Sequence, residues 1–263
     1  LHGVYIGNNR LLCKPAWGGK LLIPSNDLSL MPELVISGVQ ELPLSAYLFK
    51  TIKPGNVLID VGANIGYFTV LMGALCGPSG KVIAYEVNPH LYQILMDNLS
   101  INYLHDRVTV YTKAVYSKKT TLDFYLCSRF MGNSSIYGHG EEYRKHYQDE
   151  IQKIKIEAEP LDIFIDKFPH VDLIKIDIEG GEYQAFLGME KMIKNNIVKI
   201  IVFELNETML QQDYLLLKEF LNNLNKSRKN IGFFNINNDG DLVETSLDKL
   251  FSEGSCEHVV MKF

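Results

Sequence analysis

An α/β fold built on a mostly parallel, Rossmann-like sheet is predicted for this chain by three observations. A β-branched run, Val57–Val61, leads into a glycine-punctuated turn and an apolar helix-like stretch. A second such strand, Lys81 to Glu86, follows at the spacing of a βαβ unit. A third, Val171 to Glu179, alternates apolar and charged residues and ends in Gly180-Gly181.

The first of these is the most informative. Val57 to Val61 carries no charge before Asp60, as expected of a strand buried on both faces. Gly62 and Gly66 bracket Asn64, and Tyr67 to Leu75 suits a buried helix ending near Gly77-Pro78. The pattern is D-x-G-x-N-x-G and not the G-x-G-x-x-G of dinucleotide enzymes, which weighs against a dehydrogenase. An acidic residue at the strand end repels a pyrophosphate and suits an ammonium or sulfonium, while turn amides and a helix N-terminus suit a carboxylate. S-adenosylmethionine (SAM) carries all three groups on its methionine half; a glycine-rich loop of another α/β protein is the competing reading.

The chain has 263 residues and a net charge of −5, with a pI near 5.8. That length fits one large α/β domain or a domain with an extension. The missing basic footprint disfavours a nucleic-acid substrate. Cys13, Cys76, Cys127 and Cys256 have neither zinc-ligand nor disulfide spacing and read as reduced thiols of a cytoplasmic protein. No apolar run is long enough for a membrane span, and the N-terminus is not a signal peptide. Because it starts at Leu1, the chain reads as a segment of a longer protein.

Residues 1–50 read as an N-terminal extension: a hairpin around Trp17-Gly18-Gly19, then a helix from Pro43 to Lys50. Glu41 is either a solvated carboxylate before that helix or part of a lid over a cofactor. Residues 51–263 are expected to form the nucleotide-binding domain. Glu86 ends its second strand about twenty residues past the glycine turn, the place from which a carboxylate accepts hydrogen bonds from both ribose hydroxyls. Asn88-Pro89 then starts a helix. Ala114, after a third strand at Arg107 to Tyr111, is either the wall of an adenine pocket or an ordinary core turn. Between about 118 and 158 the alternation breaks. Strands at Thr120–Leu126 and Ile154–Ala158 flank a long polar segment, read as an insertion over the site.

Alternation along Val171 to Glu179 puts Lys175, Asp177 and Glu179 on one face of a central strand, where charges are costly unless paired or working. Lys199 to Asn206 repeats the arrangement one strand later, ending at Glu204. A helix at Tyr214–Leu224 and strands at Gly232–Ile236 and His258–Phe263 are expected to close the sheet with an antiparallel edge pair.

With these residues in hand, the chain resembles the FkbM family of SAM-dependent methyltransferases over roughly residues 38–205. The matching residues are Asp60 to Gly66, Glu86 with Asn88-Pro89, Ala114-Val115, and above all Asp172 to Glu182. The resemblance implies a class I methyltransferase sheet with its last strand antiparallel, and O-methylation. The lead-in through Asp27-Leu-Ser-Leu and Gly38 to Glu41 is similar to that of members acting in bacterial polysaccharide assembly, sometimes fused to glycosyltransferases. A sugar hydroxyl, on a glycan or nucleotide sugar, is then the expected acceptor, and a polyketide or other natural-product hydroxyl the alternative. A SAM-binding module without turnover is a further one. Expected cofactor contacts are Glu41, Asp60, Gly62, Asn64, Gly66, Glu86, Asn88 and Ala114. Asp177, Glu179, Glu204 and Lys175 are the expected catalytic set. Either a carboxylate acts as base, or Asp177 and Glu204, with Asn206, hold Mg2+.

Overall fold

The computed structural model describes residues 1–228 and 231–263. Its first elements, β1 (Gly3–Gly7), β2 (Arg10–Cys13) and β3 (Leu21–Pro24), form a small antiparallel sheet, so the expected hairpin gains a further strand at its N-terminal side. Helices α1 (Met31–Ser37) and α2 (Leu42–Thr51) follow, α1 not having been expected. Both carry a proline in the first turn, where a missing N–H is harmless.

The nucleotide unit is β4 (Val57–Val61), α3 (Tyr67–Leu75), β5 (Lys81–Tyr85), α4 (Pro89–Ile101) and β6 (Val108–Tyr111). Seven of the nine residues of α3 are buried, so its lack of a polar face suits a helix enclosed on all sides. The chain then leaves the main sheet. β7 (Ala114–Val115), β8 (Thr120–Cys127) and β9 (Ile151–Glu159) make a separate three-stranded sheet, with a 3-10 turn at Met131–Asn133 and α5 (Glu141–Tyr147) between β8 and β9.

The chain re-enters the main sheet at β10 (Leu173–Ile176), followed by α6 (Glu182–Gly188), α7 (Glu190–Lys194), β11 (Ile200–Asn206), α8 (Glu207–Leu210) and α9 (Asp213–Ser227). The last elements are β12 (Gly232–Ile236), β13 (Leu242–Thr245), α10 (Leu247–Glu253) and β14 (Ser255–Lys262). The strand order is β13-β12-β14-β11-β10-β4-β5-β6. β14 runs antiparallel to both neighbours, while β4, β5, β6, β10 and β11 are mutually parallel.

Two expectations are corrected. The final strand is not at an edge: β14 is inserted between β11 and β12, and the edge is the β12–β13 hairpin. Val259, Val260 and Met261 are fully buried in a strand paired on both edges. β10 also stops at Ile176, so the alternation through Glu179 does not persist as strand; Asp177 to Gly181 form a turn in which Glu179 has φ 55°.

Core clusters lie on both faces of the sheet, one around Leu71, Leu95 and Leu99, the other around Phe186, Leu217 and Leu221. From β4 the chain winds through β5 and β6 in one direction and through β10 and β11 in the other. The reversal between β4 and β10 opens a crevice at their carboxyl ends, where open α/β sheets bind ligands.

Candidate active site

At that crevice lies a cavity floored by the β4–α3 loop and roofed by segments from outside the main sheet. Ser29, Leu30, Gln40 and Glu41 come from the N-terminal extension, and Phe124, Met131 to Ser134 and Ile136 from the inserted segment. These two roof pieces are joined to each other. Asp27, fully buried, accepts from the Met131 amide, Ser29 Oγ accepts from the Gly132 amide at 3.0 Å, and the Leu28 amide donates to Arg129 at 2.6 Å. Asp149 fastens the insertion by accepting from the amides of Ser128, Arg129 and Phe130.

The floor is built differently from the sequence expectation. The Gly62 and Ala63 amides both donate to the Tyr85 carbonyl, the Asn64 amide to Glu86 at 2.7 Å, the Ile65 amide to Asn64 Oδ1, and the Gly66 amide to Ala63. Every loop amide from 62 to 66 is thus occupied internally. The amides of Tyr67, Phe68 and Thr69 in the first turn of α3 have no partner among the described residues, and of these three residues Tyr67 and Phe68 line the cavity. Gly62 and Gly66 adopt positive φ, 81° and 89°. A β-carbon on Gly62 would lie 1.8 Å from the Asp177 carbonyl oxygen, so this glycine is required where β4 passes the end of β10.

Asp60 does not reach the cavity. Its carboxylate is fully buried, accepts from Thr69 Oγ1 and lies 3.7 Å from Lys175 Nζ. Its Oδ2 takes the Thr69 hydroxyl, while its Oδ1 is buried without a hydrogen-bond partner, 3.7 Å from Lys175, and Asp60 is not among the residues that line the cavity. Glu86 does line the cavity, yet each of its oxygens already accepts one amide, from Asn64 and Asn88. Burial pushes its pKa up to about 7 despite those bonds. Asn88 lines the cavity while its Oδ1 caps α4 by accepting from the His90 amide. Asn64 and Ala114 also line it.

A second cavity adjoins the first at the ends of β10, β11 and β14. Glu41, Lys175, Asp177 and Glu179 line both. Asp177, Glu179 and Glu204 bring carboxylate oxygens within 4.8 Å of one another. β10 and β11 place Asp177 and Glu204, while the left-handed turn delivers Glu179. Lys175 is buried 3.2 Å from Asp177; the penalty of burial is outweighed by Asp177, Asp60 and Glu41, which hold the ammonium charged. Burial, then repulsion from Asp177, pushes Glu204 up to about 7 and Glu41 up to about 8, and raises Glu179 as well. Asn206 does not complete a metal set: its Oδ1 accepts from the Met209 amide, capping α8, and its Nδ2 donates to Glu204.

Glu257 and His258 of β14 also line the second cavity. Neither was legible in the sequence, since β14 reads as a terminal strand with no motif and reaches the site only by insertion beside β11. The roof residues Met131 to Ser134 were missed individually for a similar reason, though the segment holding them was expected over the site.

A crevice at the sheet's reversal point, a β4 loop of this pattern and an acidic strand-end cluster define a class I, SAM-binding methyltransferase. A methyltransferase FkbM domain matches residues 60–240, and the chain belongs to that family. Methyltransferase sdnD of Sordaria araneosa is 26% identical over 176 residues, covering 56% of this chain and 67% of that protein. Methyltransferase 1 of Beauveria bassiana is 22% identical over 162 residues, 55% of this chain and 64% of its own length. The chain thus matches about two thirds of the length of these relatives. Among solved structures, an O-methyltransferase from Bacillus cereus in complex with SAH superposes with a TM-score of 0.44 at 15% identity, covering 90% of this chain and 82% of the other. Among the described residues, no helix is long and apolar enough to cross a membrane.

Proposed function

We propose that this methyltransferase transfers the SAM methyl group to a hydroxyl of a sugar, in a glycan or nucleotide sugar, on behalf of a fused or associated glycosyltransferase. The observation that carries the reading is the carboxylate cluster Asp177, Glu179 and Glu204 at the junction of two cavities, two of its members lining both. In this reading the first cavity holds the cofactor. Glu86 has lone pairs left for the ribose hydroxyls, the Tyr67 and Phe68 amides take the methionine carboxylate, Glu41 faces the ammonium, and Asn64, Asn88 and Ala114 line the nucleoside. Asp60, Gly62 and Gly66 act by holding Lys175 and the loop in place.

SAM supplies an electrophilic methyl on a sulfonium. The acceptor oxygen forms the new C–O bond as the C–S bond breaks, the electron pair stays on sulfur, and the hydroxyl proton passes to a carboxylate of the cluster. Glu204, whose carboxyl is pushed up to about 7, is assigned as base; general-base catalysis is worth ~10²–10⁴-fold. Asp177 keeps Lys175 at the site, where the lysine balances the charge of the carboxylates around it. The three carboxylates are also an all-oxygen set of the kind a hard divalent cation such as Mg2+ accepts, with Glu179 in the place first given to Asn206.

Methyl transfer by Asp177→Asn and Glu204→Gln, each with and without EDTA, tests the assignment. At least a hundredfold loss of kcat with SAM affinity within threefold is expected. Retained activity in both variants sinks it, and full activity in EDTA removes the metal role alone.

A further inference from the structure

We propose that the second cavity is the acceptor chamber, that it admits an acceptor whose reacting end is neutral or cationic and rejects an anionic one, and that His258 is one of its recognition residues. This rests on the function proposed above and goes beyond it, because a carboxylate or phosphate on the reacting ring is then excluded. Sugar hydroxyls as a class do not demand that exclusion.

The charge of the chamber is lopsided. Glu41, Asp177, Glu179, Glu204 and Glu257 line it, against Lys175 and a buried histidine. Lys175 is already claimed by Asp60 and Asp177 at 3.7 and 3.2 Å, so it offers little net attraction to an incoming anion. Once the pH exceeds the raised values of Glu41 and Glu204, about 8 and 7, these carboxylates are ionised, and like charges concentrated in a low-dielectric recess then raise a field against an anionic ligand and favour an ammonium or a set of hydroxyl donors.

The independent observation is His258. It is 7% exposed, lines this chamber, and its Nε2 has no hydrogen-bond partner; Glu41 and Glu257 stand at 3.7 and 3.9 Å, beyond bonding distance. A buried polar nitrogen is rarely left unpaired, so an orphan facing a cavity points to a ligand group that completes it. A hydroxyl serves, since it both donates and accepts and therefore fits either imidazole tautomer. Asp177 and Glu179, shared with the cofactor cavity, put a hydroxyl held here within the reach of the cluster.

Two measurements test this on the whole chain. In a Cys256→Ser background, Glu257→Cys places a thiol at the chamber rim, and its reaction with ammonium-bearing and sulfonate-bearing methanethiosulfonates is compared with that of a small free thiol. At a pH of about 8.5, above the raised values of Glu41 and Glu204, the ammonium reagent should gain at least tenfold over the sulfonate, and adding Glu204→Gln should shrink that ratio about threefold. Equal rates overturn the proposal whatever the acceptor is. Saturation-transfer NMR on protein loaded with S-adenosylhomocysteine then compares methyl glucoside, methyl glucosaminide and methyl glucuronide. The first two should bind at least tenfold better than the glucuronide. His258→Ala should lower their binding about tenfold and His258→Gln less, with S-adenosylhomocysteine affinity unchanged. Glucuronide binding as well as glucoside, or indifference to His258→Ala, overturns the proposal. If the charge ratio holds and no sugar binds, the charge selection stands and the sugar reading falls.

Discussion

Lys175 shows at the level of one side chain how the site is balanced. It is 3% exposed and neutralises Asp60 from one side and Asp177 from the other. Removing one member of a buried ion pair leaves an uncompensated charge, which costs on the order of 3–5 kcal/mol. Lys175→Met is therefore expected to lower stability by about that much in urea titration, and Asp60→Asn in the same molecule to recover at least half of it. Additive losses in the double variant would show that the pair is not coupled. The charges of Lys175 and Asp177 were legible because alternating apolar and charged residues on a central strand demand partners. Asp60 was legible as a site residue, but its position behind the cavity wall was not, because its burial depends on Thr69 and Lys175 closing over it.

Among the elements, the β4–α3 loop has the clearest motif and the least expected wiring. Its glycines were readable from spacing. That its amides serve Tyr85, Glu86 and the loop itself was not, since those acceptors come from the next strand. The loop is a preformed floor, and the unpaired amides lie in the first turn of α3. Gly62→Ala forces a left-handed φ on a side chain and drives its β-carbon against the Asp177 carbonyl. Strain of ~1–2 kcal/mol per left-handed residue and overpacking of ~1–3 kcal/mol together predict a loss of about 3 kcal/mol. Calorimetric SAM titration is expected to show weakening of at least tenfold; unchanged affinity would mean that the loop accommodates the methyl without moving β10.

For the molecule as a whole, the clustered carboxylates couple pH to both activity and stability, in opposite directions. Glu204, raised to about 7, must be ionised to act as base, so kcat should fall as pH drops through about 7, and Glu204→Gln should lose that limb of the profile. Stability has the other sign. Glu41, Glu86 and Glu204 have folded pKa values raised to about 8, 7 and 7, so between their unfolded values and these the native state binds more protons than the unfolded one. Their contribution is complete below about 4.5 and is lost as pH rises through 7 to 8. The cofactor-free protein should accordingly show a lower urea midpoint at pH 8 than at pH 6, and a midpoint that rises over that interval would contradict the burial of these groups.

By itself the sequence determined the class of fold, the strands β4, β5, β10 and β11, the cofactor type and the acidic residues at the strand ends, because periodicity, glycine spacing and the cost of buried charge are local properties of a chain. Only the tertiary structure decided that β14 enters between β11 and β12, carrying Glu257 and His258 to the site. It also decided that Asp27 and Ser29 stitch the N-terminal segment to the insertion a hundred residues away to roof the cavity. Those contacts join segments with no common pattern, and what selects them is the burial of apolar strands and the pairing of amides across long stretches of chain, which no local window contains.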